Sequence, residues 1–251
     1  MASFCNGYRY PSMAEKYAAT TMGSIRIIAN PEILSESGWS AEAGIKQGIL
    51  LGHIAGQADF SAFLIQNSNM IEYMFGAYPE GFGFMPANVE QSRVYGLEAE
   101  MLLTRNFGQL QTSMSGGYTF MYPVEFNKYT HQNTDTFLKY RRKHSGVLSL
   151  DARMKRTTIG FSLFIRSKIL NIDDVFISTP ILPGFGEYWA GHNRGYATAD
   201  GNVGYMINEK FTVSFAVKNL TNAEYMGRPG DIQPQRTWSI RFSGTLRPEG
   251  Y

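Results

Sequence analysis

Alternation with a period of two, repeated through ten separate stretches, restricts the fold of this sequence more than any other feature. From Phe211 to Lys218 the odd positions Phe211, Val213, Phe215 and Val217 are apolar, and the even ones are small or charged. Trp238, Ile240, Phe242 and Leu246 share one face of the last such stretch, with Thr237, Ser239, Arg241 and Ser243 opposite. Leu110, Met114, Tyr118 and Phe120 oppose Gln111, Ser113, Ser115 and Thr119, while Tyr95, Leu97, Ala99, Met101 and Leu103 oppose Glu98 and Glu100. Successive side chains of a strand point to opposite faces, so each stretch is a strand with one greasy and one wet side. The same reading places strands near 1–9, 38–50, 55–74, 88–105, 107–122, 144–155, 157–170, 195–208, 210–220 and 235–246.

The connections sharpen the assignment. Short turns at 51–54, 106, 156 and 208–209 alternate with long segments at 10–37, 75–87, 123–143, 171–194 and 221–234. Up-and-down barrels of the outer membrane have this rhythm, with brief periplasmic turns and extended outer loops. The ten prolines are expected in loops, at strand margins or in the tail, since proline donates nothing to a sheet ladder. Most stretches reach the roughly 9–11 residues that a tilted strand needs to cross a bilayer. Glu42, Lys46, Glu98, Glu100, Asp151, Arg153, Arg166, Lys218 and Arg241 all fall on polar faces, as a wet lumen requires. Aromatics near strand ends (Tyr73, Phe75, Tyr118 to Tyr122, Tyr196) suit an interfacial girdle. The competing architecture is a large soluble all-β domain, whose strands would be shorter.

Composition excludes other classes. Charged residues are 18% of the chain and the net charge is +2, so no basic field invites nucleic acid. One cysteine, Cys5, precludes an internal disulfide and any multi-cysteine zinc site. His53, His131, His144 and His192 lack ligand spacing, and the pair Asp173-Asp174 alone does not make a hard-cation site, so no metal and no cofactor are expected. There is no nucleophile elbow or phosphate-cradling loop, and Gly81-x-Gly83 has no helix after it.

Several local patterns, taken in order, resemble the C-terminal β-barrel of TonB-dependent outer-membrane receptors. Arg9-x-Pro11-Ser12-x-x-Glu15-x-Tyr17 is similar to a mid-barrel signature of that family. Asn30-Pro31-Glu32, followed by Trp39-x-x-Glu42-x-Gly44, resembles another, with Ser35 where proline is common. Asn88 with Tyr95-Gly96-Leu97-Glu98, and then Tyr118-Thr119, look like the next two strands. Asn219-Leu220-Thr221-Asn222-x-x-Tyr225, then Pro229-Gly230-Asp231 and Arg236, resemble the penultimate strand and the entry to the last. The resemblance implies an all-β, antiparallel, up-and-down transmembrane barrel of about 22 strands, of which this chain supplies the last ten or so. It implies that the plug domain, the TonB-contacting box and the signal peptide lie outside residues 1–251, so that the TonB complex is reached only through that N-terminal region. It further implies a Gram-negative outer-membrane location, contact with lipid and lipopolysaccharide, and TonB-energised uptake of a nutrient chelate such as a ferric siderophore. Haem receptors of the family carry a histidine between the first two signatures, and no histidine lies between Pro11 and Asn30.

Turn chemistry accounts for Asn219 and Asn222, and an ion pair anchoring a loop accounts for Arg9 and Glu15, with ligand contact the alternative in each case. A basic and aromatic loop, Tyr122, Lys128, Tyr129, Lys139, Tyr140, Arg141, Arg142 and Lys143, is the candidate patch for an anionic aromatic chelate, or else for lipopolysaccharide. The competing functions are a small outer-membrane hydrolase, for which His131 and Asp135 are the candidate groups, and a passive porin-like channel. Ten strands cut from a wider barrel leave two unpaired edges, so the expected form is a curved, incomplete sheet or else a strained small barrel, and neither transports by itself.

Overall fold

The computed structural model describes residues 1–22, 25–89, 91–127, 129–178 and 182–245. Ten long strands form its wall, and they coincide one for one with the alternating stretches. These are β1 (Ala2–Arg9), β4 (Glu36–Leu51), β5 (Ile54–Ser68), β8 (Gln91–Phe107), β9 (Leu110–Asn127), β11 (His144–Met154), β12 (Thr157–Arg166), β13 (Tyr196–Met206), β14 (Phe211–Lys218) and β15 (Thr237–Gly244). They pair antiparallel in that order, and β10 (Gln132–Phe137) joins the upper part of β9. Among the described residues β1 and β15 are paired on one side only, so the sheet is an unclosed section of barrel. Leu246 and residues 247–251, like Lys128 and Pro180, lie outside the described residues.

The register carries the alternation across the whole wall. Lys46 is opposite Asp59, Asp59 opposite Glu100 and Glu98 opposite Thr119. Further round, Asp151 faces Gly160 and Ser214 faces Arg241. All nine charges assigned to a polar face therefore share one side of the sheet. The other side reads Ile45, Phe60, Ala99, Tyr118, then Leu150, Phe161 and, beyond them, Val203, Phe215 and Ile240. Many of these are open to the surroundings, with Ile45 at 71% and Ile240 at 65% exposure, and burial on this face returns toward the long-loop end, at Val124, Phe126, Ala199 and Val217. An antiparallel sheet with one wet and one bare apolar face is the pattern of a membrane barrel.

The short turns use left-handed backbone where reversal demands it: Gly52 at φ 58°, Gly108 at φ 59° and Lys155 at φ 52°. On the opposite rim the long connections are more ordered than expected. The segment 55–74 is not one strand. It breaks at Asn69 (φ 56°), and β6 (Met70–Tyr78) then pairs with β7 (Gly81–Val89), where the alternation had suggested a loop over 75–87. With β2 (Thr20–Met22) and β3 (Ile25–Ile27) they form a second sheet in the order β2-β3-β7-β6. Three short helices, α1 (Met13–Tyr17), α2 (Val175–Ser178) and α3 (Phe185–His192), also belong to this rim. Its packed centre is Ile169, Ile172, Phe185 and Met226.

Two prolines depart from the expected distribution. Pro86 lies in β7 and Pro123 in β9. The Pro86 carbonyl accepts from Asn30 Nδ2 at 2.8 Å and the Pro123 carbonyl from Leu138 N at 3.1 Å, so both face away from their main partner strands. The missing N–H falls where β3 has ended, or where β10 pairs irregularly, and the main ladders are intact. The girdle also needs revision: Tyr118 and Tyr122 are on the apolar face, but Tyr196 is on the polar one and Tyr73 and Phe75 belong to the β6–β7 hairpin.

Against hydrocarbon, Phe161→Arg in β12 should cost about 2–4 kcal/mol. Ser162→Arg, the next residue and on the opposite face, should cost little, and denaturant unfolding of the assembled wall in lipid reads the difference.

Candidate functional site

The family-like residues converge on the long-loop rim, where most of them tie side chain to backbone. Ser12 caps α1 and Glu15 returns the bond, its Oε2 accepting from Ser12 N at 2.6 Å. Arg9, at the top of β1, donates to Glu15 at 3.0 Å and to Glu36 at 2.6 Å. Burial opposes ionisation of Glu15, but hydrogen bonds from Ser12 and Arg9 outweigh it and hold the carboxyl below its ordinary range. Glu36 also accepts from the backbone N–H of Ile71, fixing the start of β6 over the polar side of the wall. Asn88 Nδ2 donates to the carbonyls of Leu34 and Asn69 while its Oδ1 accepts from Leu34 N, and Asn30 joins Pro86 to Glu32. Pro11 leads into the Ser12 cap, Pro31 sits in the turn that follows Asn30, and Tyr17 is exposed.

Asn219 is the most fully bonded of these residues. It is 4% exposed and adopts φ 53°. Its N–H donates to Asp200, its Nδ2 to the Ala223 and Pro234 carbonyls, and its Oδ1 accepts from Ala223 N and Thr221 Oγ1. Asn222 Oδ1 accepts from Arg236 N at 2.9 Å, and Arg236 donates on to the Leu220 carbonyl at 2.7 Å. Gly230 turns the same loop at φ 80°. Gly96 has a packing reason: a Cβ there would lie 2.7 Å from the Phe63 ring and 2.1 Å from the Phe120 carbonyl. Glu42, Gly44 and Glu98 line the polar face, where Thr119 reaches Glu98 only at 3.5 Å.

The basic and aromatic patch is divided by the wall. Tyr122 is on the apolar face beside Tyr95, and Lys143 lies 4.6 Å above both the Tyr122 and Phe137 rings. Lys139 instead pairs with the buried Asp173 at 2.6 Å, and Tyr140 donates to the same carboxylate. Burial, with that bond, pushes the Tyr140 phenol up. Arg142 donates to the carbonyls of Ser167 and Met226 and stands 5.1 Å over the Tyr196 ring. Tyr129 and Arg141 are exposed, and Lys128 lies outside the described residues.

Arg142 opens instead onto a cleft of about 470 Å³ lined with Trp189, His192, Arg194, Tyr196, Glu224 and Tyr225. Tyr196 and Tyr225 stack at 4.3 Å. Tyr188 stacks on His192 at 4.0 Å and donates to Glu224, which with burial lifts its phenol to about 12. Two guanidiniums with a wall of aromatic rings suit an anionic, flat ligand. Trp189 and Arg194 carry no periodic signal, and only the density of rings and cations across 188–196 could have flagged them. His131, at φ 54°, packs edge-on to Phe126 at the tip of the β9–β10 hairpin, with Asp135 further along β10. Among the described residues no three His, Cys, Asp or Glu side chains are grouped to hold a metal.

A wall with one polar and one bare apolar face, short turns on one rim and stapled loops on the other, defines an outer-membrane type of barrel section. The family described as TonB dependent receptor-like, beta-barrel, matches residues 1–220, and the chain belongs to that family. Among solved structures it is similar to the copper transporter OprC, with a TM-score of 0.66 and 15% identity over 98% of this chain and 37% of that one. The hemophore receptor HasR of Serratia marcescens gives 0.64 and 15% over 97% and 36%. The ferric-catecholate import receptor Fiu of E. coli K12 gives 0.62 and 16% over 97% and 32%. This chain thus spans about a third of the length of these proteins, and at such identities the likeness is one of fold. No curated sequence matches it.

Two outcomes test the staples. Asn219→Ala should destabilise the assembled barrel by about 2–4 kcal/mol through its lost buried bonds, and Asn219→Gly by about 1 kcal/mol less because the left-handed backbone is relieved; denaturant unfolding ranks them. The Glu15 contribution should be present above its ordinary range, near 4.5, and disappear as the pH falls through its depressed folded value. Proteolysis within residues 17–31 should therefore rise in acid, and Glu15→Gln should be cut quickly already at neutral pH without a further acid response.

Proposed function

We propose that this chain forms part of the wall of a Gram-negative outer-membrane receptor that takes up a nutrient chelate, a ferric siderophore being the best fit. The observation that carries this reading is the cleft between Arg142, Trp189, Arg194, Tyr196 and Tyr225 on the long-loop rim, above a polar-lined interior. Iron-chelating ligands with catecholate groups present flat rings and negative charge, which rings and guanidiniums recognise together. The likeness in fold to the ferric-catecholate import receptor Fiu and to the siderophore receptor PirA of Acinetobacter baumannii supports an iron-chelate cargo by analogy.

The open edges of β1 and β15 suit pairing with further strands of a longer polypeptide, which would close the lumen and bring a plug and the contact with TonB. Unpaired edges in hydrocarbon cost several kcal/mol for each orphan group. Residues 1–251 expressed alone should accordingly fail to give the heat-modifiable gel migration of a closed barrel. A heat-modifiable band from that chain alone would refute the need for completing strands.

Cargo is tested in the assembled receptor. Trp189→Ala and Arg194→Ala should each weaken ferric-catecholate binding several-fold, as loss of one cation–π partner predicts, and slow iron-limited growth on that chelate. Unchanged affinity in both variants would move the cargo site elsewhere.

A further inference from the structure

Among the described residues of the ten wall strands, two charged side chains lie on the apolar face, and both are arginines of β8. Arg93 and Arg105 stand at the two ends of the uncharged run Tyr95, Leu97, Ala99, Met101 and Leu103. Every described Asp and Glu of the ten strands (Glu36, Glu42, Asp59, Glu98, Glu100, Glu125, Asp151, Asp200) is on the other face by register. Neither arginine therefore has a carboxylate on its own side of the wall.

Both guanidiniums are laid over rings of the same face, Arg93 at 3.7 Å from the Phe126 centroid and Arg105 at 4.2 Å from that of Phe107. Arg93 donates to Gln66 at 2.8 Å. Arg105 forms no side-chain hydrogen bond with the described residues, and its Nε and that of Arg93 are the buried side-chain atoms left without a partner. Twelve residues separate the two along β8. At about 3.3 Å per residue and a tilt near 40°, that is roughly 30 Å along a membrane normal. The hydrocarbon of a bilayer is about 30 Å thick. An arginine facing lipid is costly at the midplane and nearly free at either interface, where its stem can stay in hydrocarbon and its head in the headgroups.

We propose that Arg105 binds the headgroup phosphate of a glycerophospholipid in the leaflet on the short-turn side, the Phe107 ring holding the guanidinium fork in place. Arg93 marks the opposite headgroup level. The planar fork matches two phosphate oxygens at once, a geometry that the protein itself does not use at Arg105. The field at that rim is favourable: the short turns carry Lys155, Arg156 and Lys210 against one acid, Glu209. This inference rests on the reading of the wall as membrane-embedded.

The test uses the receptor extracted from membranes in mild detergent, stripped of lipid and titrated with phosphatidylglycerol, with bound lipid counted by native mass spectrometry. Arg105→Gln should lower the affinity about tenfold, the loss of a charge-assisted bond, and Arg105→Lys, which keeps the charge and loses the fork, by several-fold. Arg153→Gln, on the polar face near the same rim, should leave it unchanged. Inorganic phosphate at the same concentration should not compete. Equal lipid binding by wild type and the Arg105 variants, or displacement by inorganic phosphate alone, overturns the site; Arg105→Lys decides the matter if the glutamine variant does not assemble. Recovery of the wild-type protein in buffer without detergent would instead overturn the membrane reading itself.

Discussion

A peptide group that leaves water must find its hydrogen-bond partner within the protein, and this wall meets that demand by pairing ten strands edge to edge, most of their apolar face having nothing packed on it. Two consequences are visible in the structure. Side chains are released from core packing, so the apolar face can be open and the polar face can hold charges at close intervals. Stability also becomes a property of the ladder and its register: a slip of one residue would turn Glu98 and Glu100 to the apolar face and Leu97 and Ala99 to the polar one.

The rim of long loops obeys a different logic. Its buried residues, such as Ile169, Ile172, Phe185 and Met226, form the compact hydrophobic centre that the wall does without. The ion pair of Lys139 with Asp173 and the stacking of Phe84 on Phe176 join loops far apart in sequence. Glu72, on β6 beside that pair, has its carboxyl raised by burial and by Asp173, with Lys139 acting in the opposite direction. The long-loop rim is thus a small folded assembly carried by the wall.

Much of this was legible in the sequence, and the boundary of legibility has a physical cause. Alternation is enforced wherever one face meets apolar surroundings and the other water, so the ten wall strands and the sidedness of nine of their charges could be read from runs such as Phe211 to Lys218 or Tyr95 to Leu103, whereas Arg93 and Arg105 sit on the face that the pattern reserves for apolar residues. Asn219, Asn222 and the Arg9–Glu15 pair were legible because turn and capping chemistry is local. The β6–β7 hairpin was hidden because both of its faces are partly covered, which removes the two-residue rhythm, and a left-handed asparagine at 69 is not distinguishable from a strand residue. Pro86 and Pro123 misled for a related reason: the side on which a proline lacks its donor depends on which neighbour has ended. The cleft was illegible because Arg142, Arg194 and Tyr225 meet only through the packing of three loops.

The asparagine staples divide each loop into a fixed base and a free tip. Asn88, Asn219 and Asn222 hold their segments through backbone carbonyls and amides, groups that every residue type provides. Nothing in those bonds depends on the identity of the side chains beyond the bases. Loop tips can therefore be exchanged, lengthened or re-charged while the scaffold keeps its shape, which gives natural variation, and a protein engineer, defined graft points for altering what such a wall presents to its surroundings.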